Sequence, residues 1–349
     1  MSAQSEDAIA RAVEVLGRGD LVAFPTETVY GLGADASDAK AISKIYEAKG
    51  RPSNHPVIVH VAHSDDMRVW AQDIPELAFV LARAFWPGPL TLILKRADSI
   101  PAAVSGGQDT IGIRCPSHPV ARALLKAFAQ SRPGLPAGIA APSANRFGHV
   151  SPSCAQHVRD EFPELVAAGM PVLEGGNSEV GIESTIVDLS RVSSGVSPAL
   201  LRPGGVSAAS IQAVLGCPLI AADMQAPRVS GSLKAHYSPD TSMRLCPEDR
   251  TAGVVADWLG THPGRLAVVG CGPDLDRFAS DPRVCLKRLP PDPVVYAQKL
   301  YATLRAVDAA GVDAVVWEGV PQSPDWDGVR DRLERAAAAF DGDSANWRI

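Results

Sequence analysis

The amino-acid sequence predicts an α/β protein built from two domains. Helical and strand-like patterns alternate along the chain, and its 349 residues exceed what a single core usually holds. A stretch rich in Pro, Ser, Gly and Ala at residues 221–240 has no sustained periodicity, which is typical of a linker. With 46% hydrophobic and 21% charged residues, the composition is that of a globular chain and excludes a fibrous or disordered protein.

The first part of the chain carries most of the predicted elements. Apolar residues at helical spacing predict helices over residues 9–17, 38–48, 75–85 and 120–130. Apolar runs predict strands over residues 21–24, 57–61, 90–95, 110–114 and 138–141. This alternation is typical of a sheet flanked by helices.

The last part of the chain predicts a smaller α/β domain. Its strands are expected over residues 265–272 and 312–319, and its helices over residues 294–309 and 329–340. The predicted boundaries are therefore residues 1–207 for the first domain, 208–240 for an interdomain segment with the linker, and 241–349 for the second domain.

Charge and cysteine content restrict the function. A net charge of -6 provides no overall attraction for nucleic acid or an anionic membrane, so an anionic ligand must meet a local cationic pocket. The six cysteines lie far apart without the spacing of a zinc site, which suits a reducing compartment. The first residues lack the pattern of a secretory signal, and no window is apolar enough to span a bilayer. We therefore expect a cytoplasmic protein.

Common nucleotide and hydrolase motifs are missing from the sequence. It contains no G-x-x-x-x-G-K-[ST], no G-x-G-x-x-G after a strand, no H-E-x-x-H and no G-x-S-x-G. The GCG at residues 270–272 lacks the third glycine of a dinucleotide site and is followed by proline. An ordinary turn after a strand is the favoured interpretation there.

The segment AKGRPSNHPVIVHV, residues 48–61, places cations beside a strand. Lys49 and Arg51 follow a predicted helix, where cations complement the helix dipole and Gly50 is a suitable cap. In the strand, His60 lies on the face opposite the valines. A helix cap alone would explain the cations, but an imidazole on a sheet face close to them favours a ligand site.

Polar side chains recur where other predicted strands end. Thr26, Glu27 and Thr28 follow the first strand, and Arg114 shares a strand face with Thr110 beside a glycine gap. An arginine on a sheet face needs an anionic partner, either a buried acid or a substrate carboxylate. Further polar groups near strand ends are Ser143, Asn145, Ser151, Glu183, Ser184, Thr185 and Arg202. Each alone is compatible with a turn or a cap, but together they indicate a ligand crevice at the edge of an α/β sheet.

Seven motifs in a fixed order resemble those of the YrdC-type threonylcarbamoyl-AMP synthases: PTETVYGLG, KGRP, PVIVHV, WPGPLT, TIGIRCP, APSAN and ESTIVD. HYSP in the linker resembles the long, two-domain form of that family. The resemblance implies a YrdC-like twisted mixed sheet flanked by helices, with an open cationic crevice, and a smaller Rossmann-like α/β domain at the C-terminus.

The resemblance also implies an activity. L-threonine, bicarbonate or CO2, and ATP would be condensed into L-threonylcarbamoyl-AMP with release of pyrophosphate. Mg2+ would be held mainly through the ATP phosphates. The product would pass to a tRNA-modifying threonylcarbamoyl transferase that modifies the adenosine next to the anticodon.

Site residues follow from the same resemblance. Lys49 and Arg51 would be catalytic because they neutralise charge at the reacting phosphate. The ATP side matches Lys49, Arg51, His55, Thr110, Ser143, Asn145, Ser151, Arg202 and the linker residue Tyr237. The L-threonine side matches Thr28, His60, Arg114, Ala141 and Ser184.

Domains related to this family also have two other functions. A related single domain presents a cationic concave surface, so an RNA-binding module without catalysis is the alternative, although the acidic chain is not expected to bind nucleic acid strongly by itself. Carbamoyl transfer within a maturation factor for metal enzymes also uses a related domain. That factor would carry acylphosphatase and zinc-finger segments, which this sequence lacks.

Overall fold

The structure is a computed structural model that describes residues 3–342. The described residues form two compact units. The first comprises the chain up to residue 147 together with residues 151–232, and the second comprises residues 148–150 and the chain from residue 233 onward. The predicted interdomain segment, residues 208–240, is thus divided between the two units. Residues 343–349 of the predicted second domain lie outside the described residues.

The first unit is a mixed α/β structure, which confirms the predicted fold class. Its helices are α1 (Ala3–Gly17), α2 (Ala39–Lys49), α3 (Met67–Trp70), α4 (Glu76–Phe85), α5 (Pro119–Gln130), α6 (Ala155–Glu161), α7 (Pro163–Ala167) and α8 (Ala208–Leu215). Its strands are β1 (Val22–Phe24), β2 (Gly31–Asp35), β3 (Ile58–His60), β4 (Ala71–Gln72), β5 (Leu90–Arg96), β6 (Thr110–Arg114), β7 (Ile139–Ala140), β8 (Thr185–Asp188), β9 (Ala199–Arg202) and β10 (Ile220–Ala221).

One sheet carries these strands. Within the described residues its order is β1-β2-β7-β3-β6-β5-β8-β9-β10, with β4 paired to β5. The pairs β3–β6 and β5–β8 are parallel, whereas β5–β6 and β3–β7 are antiparallel. The mixed sheet brings β3, β6, β5 and β8 side by side at its centre, although β3 and β8 are far from the other two in sequence.

The central strands have one apolar face and one polar face. Val59, Leu92 and Ile113 lie in the main hydrophobic core. His60 and Arg114 point to the opposite face and are register partners in the parallel β3–β6 pair. Because side chains alternate along a strand, the apolar residues hold the sheet while the intervening positions are available for a site.

Helix α2 delivers the first cation to that site. The side chain of Asp38 caps its N-terminus by accepting from the backbone N–H of Lys40, and Gly50 ends it in the left-handed conformation at φ 61°. Ile42 and Ile45 lie on the buried face of the helix. Lys49, the last helical residue, lies on the same face and is therefore directed inward.

Strand β2 was not predicted from the sequence. GLGAD contains two glycines and an aspartate, which are residues of low strand propensity. A Cβ added at Gly33 would lie 2.7 Å from Ile139 and 2.8 Å from Phe24, so the neighbouring side chains require glycine there. Tertiary packing therefore overrides local propensity in β2.

The second unit contains a parallel sheet covered by helices. Its strands are β11 (Met243–Cys246), β12 (Leu266–Gly270), β13 (Val284–Arg288) and β14 (Ala314–Glu318), and its helices are α9 (Glu248–Thr261), α10 (Pro293–Asp308) and α11 (Asp327–Ala337). The described strands pair in the order β11-β14-β12-β13. None of the helices within residues 3–342 is long and apolar enough to cross a lipid bilayer.

Candidate active site

Lys49 lies at the end of α2, with 3% of its surface exposed. Its Nζ donates to the carbonyl oxygen of Ser143 at 2.6 Å and to the carbonyl oxygen of Asn145. Burial, followed by the nearby Arg51, lowers the pKa of Lys49 well below its ordinary value. The ammonium thus holds the loop after β7 against the helix, and an anion bound beside it would favour its charged form.

Arg51 and Arg202 meet at one residue of the chain after β10. Arg51 Nη2 donates to the hydroxyl of Ser230 at 2.9 Å and to the carbonyl of Pro56 at 2.8 Å. Arg202 Nη1 donates to the backbone carbonyl of Ser230 at 2.8 Å, and its Nε and Nη2 donate to the carbonyl of Ser184. Ser230 therefore joins two guanidinium groups from distant parts of the sequence.

Residues 228–230 lie over the polar face of the sheet. Val229 is buried against Ile93 and Ile186. The side chain of Gln108 donates to the backbone carbonyl of Arg228 and accepts from its N–H, at 3.0 and 2.8 Å. The cavity left beneath this segment is about 10 Å³, which is close to the space of one water molecule. This part of the predicted crevice is therefore covered in the structure.

Arg114, on β6, is held by three groups. Its Nη2 lies 2.6 Å from Glu27 Oε1 in an ion pair whose side chains are 4% and 3% exposed. Its Nη1 donates to the hydroxyl of Thr28 at 2.8 Å, and its Nε donates to the carbonyl of Gly88 at 3.4 Å. The expected anionic partner is therefore present within the chain.

His60 is buried beside Arg114 and makes an edge contact with Phe24, with ring centroids 5.9 Å apart. Burial, with Arg114 as the second cause, lowers the pKa of His60 to about 3. The imidazole is therefore neutral across the pH range in which most enzymes work, and it is available as a hydrogen-bonding group.

Acid sensitivity of folding is expected from His60. Because its folded pKa lies below the ordinary value near 6.5, the unfolded chain binds a proton that the folded chain does not. Stability due to this group is complete above about pH 6.5 and falls by about 1.4 kcal/mol per pH unit down to about pH 3. The free energy of unfolding, measured with urea, should fall between pH 7 and pH 5 by about 2 kcal/mol more in the parent than in His60→Gln.

The exposed His63 provides the control for this experiment. His63→Gln should lose as much stability between pH 7 and pH 5 as the parent does, because the buried imidazole is still present. Equal losses in the parent and in His60→Gln would contradict the prediction.

The remaining predicted residues of the first unit fall into small groups. Ser151 donates to the buried carboxylate of Glu183 at 2.7 Å, and Ser184 shares a 2.7 Å hydroxyl contact with Thr91. His55 is half-buried, and burial, followed by the positive charges of Arg51 and Arg228, lowers its pKa. Three further residues lie in or beside strands of the sheet: Thr110 in β6, Ala141 after β7, and Ser143 bridged to Gly31.

Tyr237 belongs to the second unit. Its ring lies 5.7 Å from the ring of Tyr301, and the Arg332 guanidinium lies 5.3 Å from its centroid. The residue is 1% exposed and has a φ of 61°. Its assignment to ATP stays a prediction.

Several residues of the site were absent from the predicted set. Glu27 and Glu183 stand next to predicted residues in the motifs, so motif position was a usable signal for both. Thr91 is a lone hydroxyl in the apolar first part of β5, which is a weaker signal. Ser230 is 179 residues from Arg51 and nothing in the local sequence distinguishes it.

The fold and site together define a class of protein: an α/β protein with a mixed sheet that buries cations, hydroxyls and carboxylates in the same unit. A model of the Sua5/YciO/YrdC family, described as telomere recombination, matches residues 14–204. A second model, the threonylcarbamoyl-AMP synthase C-terminal domain, matches residues 206–338. The chain therefore belongs to the Sua5/YciO/YrdC family and carries that C-terminal domain.

Similar proteins cover almost the whole chain. Threonylcarbamoyl-AMP synthase of Pyrococcus abyssi is 35% identical over 336 residues, which is 93% of each chain. The Bacillus subtilis protein of the same name is 36% identical over 338 residues, covering 94% of this chain and 92% of its own. The crystal structure of P. abyssi Sua5 complexed with L-threonine is 34% identical, covers 94% of each chain and superposes with a TM-score of 0.83.

Proposed function

We propose that this protein synthesises L-threonylcarbamoyl-AMP from L-threonine, bicarbonate or CO2, and ATP, with release of pyrophosphate. The observation that carries the proposal is the similarity over at least 93% of the chain to two proteins named threonylcarbamoyl-AMP synthase. The site agrees in chemistry, because a guanidinium suited to a carboxylate and a separate set of cations suited to phosphates are buried in the same unit.

The residues suggest how the reaction is assisted. A carbamate oxygen of N-carboxylated threonine attacks the α-phosphorus of ATP and forms the new P–O bond, while the bond from that phosphorus to the oxygen bridging the β-phosphate breaks and releases pyrophosphate. Both reactants are anionic, so charge neutralisation and positioning are the main requirements. In this proposal Lys49, Arg51 and Arg202 neutralise the phosphates, while Thr28, His60 and Arg114 hold the amino acid.

Magnesium enters this proposal with ATP, as part of the substrate. Mg2+ usually binds through substrate phosphates and water with few protein ligands, and the cations near Lys49 suit the remaining phosphate oxygens. Within residues 3–342 no group of three or more His, Cys, Asp or Glu side chains is placed to hold a metal ion. The protein is proposed to act in the cytoplasm and to pass its product to a tRNA-modifying threonylcarbamoyl transferase.

Burial of the cations favours an enzyme over an RNA-binding module. Lys49, Arg51, Arg114 and Arg202 are between 3% and 8% exposed. RNA phosphates are bound by cations that extend from a protein surface, whereas a small anionic ligand can enter a shielded crevice.

The proposed activity is tested by product formation. Incubation with ATP, Mg2+, bicarbonate and L-threonine should yield AMP-linked threonylcarbamate, detected by mass spectrometry, and L-threonine-dependent exchange of radiolabelled pyrophosphate into ATP. Reactions without bicarbonate, or with D-threonine, are the controls. Absence of product, with retention of double-stranded RNA that falls steeply with salt, would instead support the RNA-binding module.

The segment at residues 228–230 is proposed to shield the nucleotide from water. Val229→Asp should release it, because the substitution buries an unpaired carboxylate against Ile93 and Ile186. Trypsin should then cleave after the exposed Arg228 about 10-fold faster or more, as expected when a buried charge costs 2 kcal/mol or more. The KM for ATP should also rise.

A matched control is Val214→Asp, because Val214 is 37% exposed in α8. This variant should be cleaved and should bind ATP like the parent. If trypsin cleaved after Arg228 at the same rate in Val229→Asp and in the parent, this would contradict the proposal that residues 228–230 shield the nucleotide.

A further inference from the structure

Thr26 and Glu27, in the loop after β1, have no role in the mechanism proposed so far. Both are 2% exposed, and they stand immediately before Thr28. Each contacts a residue assigned to L-threonine: Thr26 contacts Thr28, and Glu27 contacts Arg114. Neither side chain is at the protein surface, so each can act only through the residue that it contacts, Thr28 or Arg114.

The hydrogen-bond directions in this loop can be deduced from the number of protons. Thr26 Oγ lies 2.6 Å from the carbonyl oxygen of Val29 and must donate to it, since a carbonyl only accepts. That bond uses the single hydroxyl proton of Thr26. The 2.8 Å contact between the hydroxyls of Thr26 and Thr28 therefore has Thr28 as the donor. Backbone N–H groups of Thr28 and Val29, both 3.3 Å from Thr26 Oγ, also point to this oxygen as an acceptor.

The other side of the Thr28 hydroxyl is occupied by a donor. Arg114 Nη1 donates to Thr28 Oγ at 2.8 Å, and this bond uses one of the two lone pairs of that oxygen. The hydroxyl proton of Thr28 is donated to Thr26 Oγ, so only one lone pair of Thr28 Oγ remains for a ligand. Thr28 can consequently accept from an N–H or O–H group of a substrate and cannot donate to a carboxylate.

Glu27 fixes the direction of Arg114. One carboxylate oxygen is 2.6 Å from Arg114 Nη2, and the other accepts from the backbone N–H of Ser117 at 3.1 Å. The backbone carbonyl of Glu27 accepts from the N–H of Val180 at 2.7 Å, so the residue is held at both ends. A buried guanidinium that lost this partner would be both uncompensated and free to turn.

We infer that Thr26 and Glu27 are positioning residues for the amino-acid half of the site, an inference that rests on the proposed function. Thr26 makes Thr28 an acceptor toward the amine or hydroxyl of L-threonine. Glu27 orients Arg114 as the donor toward the substrate carboxylate. The two residues thereby divide the amino-acid half into an accepting part and a donating part, without touching the substrate.

The test compares L-threonine binding with ATP binding in the full chain, each measured by calorimetry and as a KM. Glu27→Gln and Thr26→Val should each weaken L-threonine binding about 10-fold and leave ATP binding within about 2-fold, because each removes one bond that orients a substrate contact. Thr26→Ser and Glu27→Asp should recover most of the loss, since the hydroxyl and the charge are retained. In an Arg114→Lys background, Glu27→Gln should cause little further loss, because Glu27 acts through that guanidinium.

Matched controls separate these roles from folding. Thr251→Val removes a buried hydroxyl that donates to a backbone carbonyl in the second unit, and Glu76→Gln removes a carboxylate from an exposed ion pair. Both should bind L-threonine like the parent, and circular dichroism should show that every variant compared is folded. If Glu27→Gln does not fold, Glu27→Asp and Thr26→Val decide the question.

Two results would overturn the inference: parent-like L-threonine affinity in folded Glu27→Gln and Thr26→Val, or equal losses for L-threonine and ATP. Failure of the proposed function is distinguishable, because the parent protein itself would then bind no L-threonine and form no product.

Discussion

Replacing Arg114 by lysine is expected to weaken L-threonine binding by about 100-fold, because a planar fork that bonds several groups becomes a single point charge. A lysine ammonium cannot reach Glu27, Thr28 and the carbonyl of Gly88 together. The same change should lower the free energy of unfolding by about 3 kcal/mol, since it disrupts a buried ion pair. The KM for ATP should change by less than about 2-fold, because the phosphate-side cations are untouched.

Steady-state kinetics with each substrate varied, together with urea unfolding, measures these effects. Arg83→Lys is the control, because Arg83 forms an ion pair with Glu76 in which both side chains are largely exposed. It should alter neither KM nor stability. A KM for L-threonine that stays within 3-fold of the parent in a folded Arg114→Lys protein would refute the assignment of Arg114 to the substrate carboxylate.

Replacing Lys49 by methionine is expected to reduce product formation by about 100-fold, the size of loss typical when one charge-stabilising donor is removed. Methionine has a similar stem length but cannot donate to the carbonyls of Ser143 and Asn145, so the loop after β7 loses its two hydrogen bonds from the Lys49 side chain. The KM for ATP should rise as well, because the proposed phosphate site includes both Lys49 and this loop.

A pH measurement identifies the ionisation of the buried Lys49 side chain. Because burial lowers the folded pKa of Lys49 well below its ordinary value, there is a pH range between the two values in which the unfolded chain holds a proton that the folded chain does not. Folding stability should therefore rise with pH between the lowered pKa and about 10.4, and Lys49→Met should lack that rise. Lys44→Met, at an exposed position of the same helix, should keep both the activity and the pH dependence. A parent-like pH dependence in Lys49→Met would show that another group causes it.

Local sequence patterns account for the longest helices of the first unit and for its strands β1, β3, β5, β6 and β7. Strand β6 has the predicted bounds, and α2 ends at the predicted Gly50 because that glycine adopts the left-handed conformation. Strand β2 and helix α9 are among the elements that these patterns miss, and both contain two glycines. Propensity is a weak guide where burial decides the structure.

Site prediction depended on motif position more than on geometry. Arg114 was expected to have an anionic partner, either a buried acid or a substrate carboxylate, and the structure supplies the buried acid, Glu27. Lys49 was assigned to phosphate, and in the structure its ammonium holds two loop carbonyls. Residues that carry charge can be found from the sequence, but the groups that compensate them cannot, because buried charge is balanced by whatever the fold brings near.

The sequence by itself determined the α/β class, the two-part organisation, the alternation that separates His60 and Arg114 from the core, and the family. These depend on neighbouring residues and on motif order, both of which are local properties. Tertiary structure alone decided which distant groups meet: Arg114 with Thr28, 86 positions away, and Arg51 with Ser230, 179 positions away. Each contact joins a loop to a residue from a separate part of the chain that only the complete fold brings near, so no local pattern encodes it.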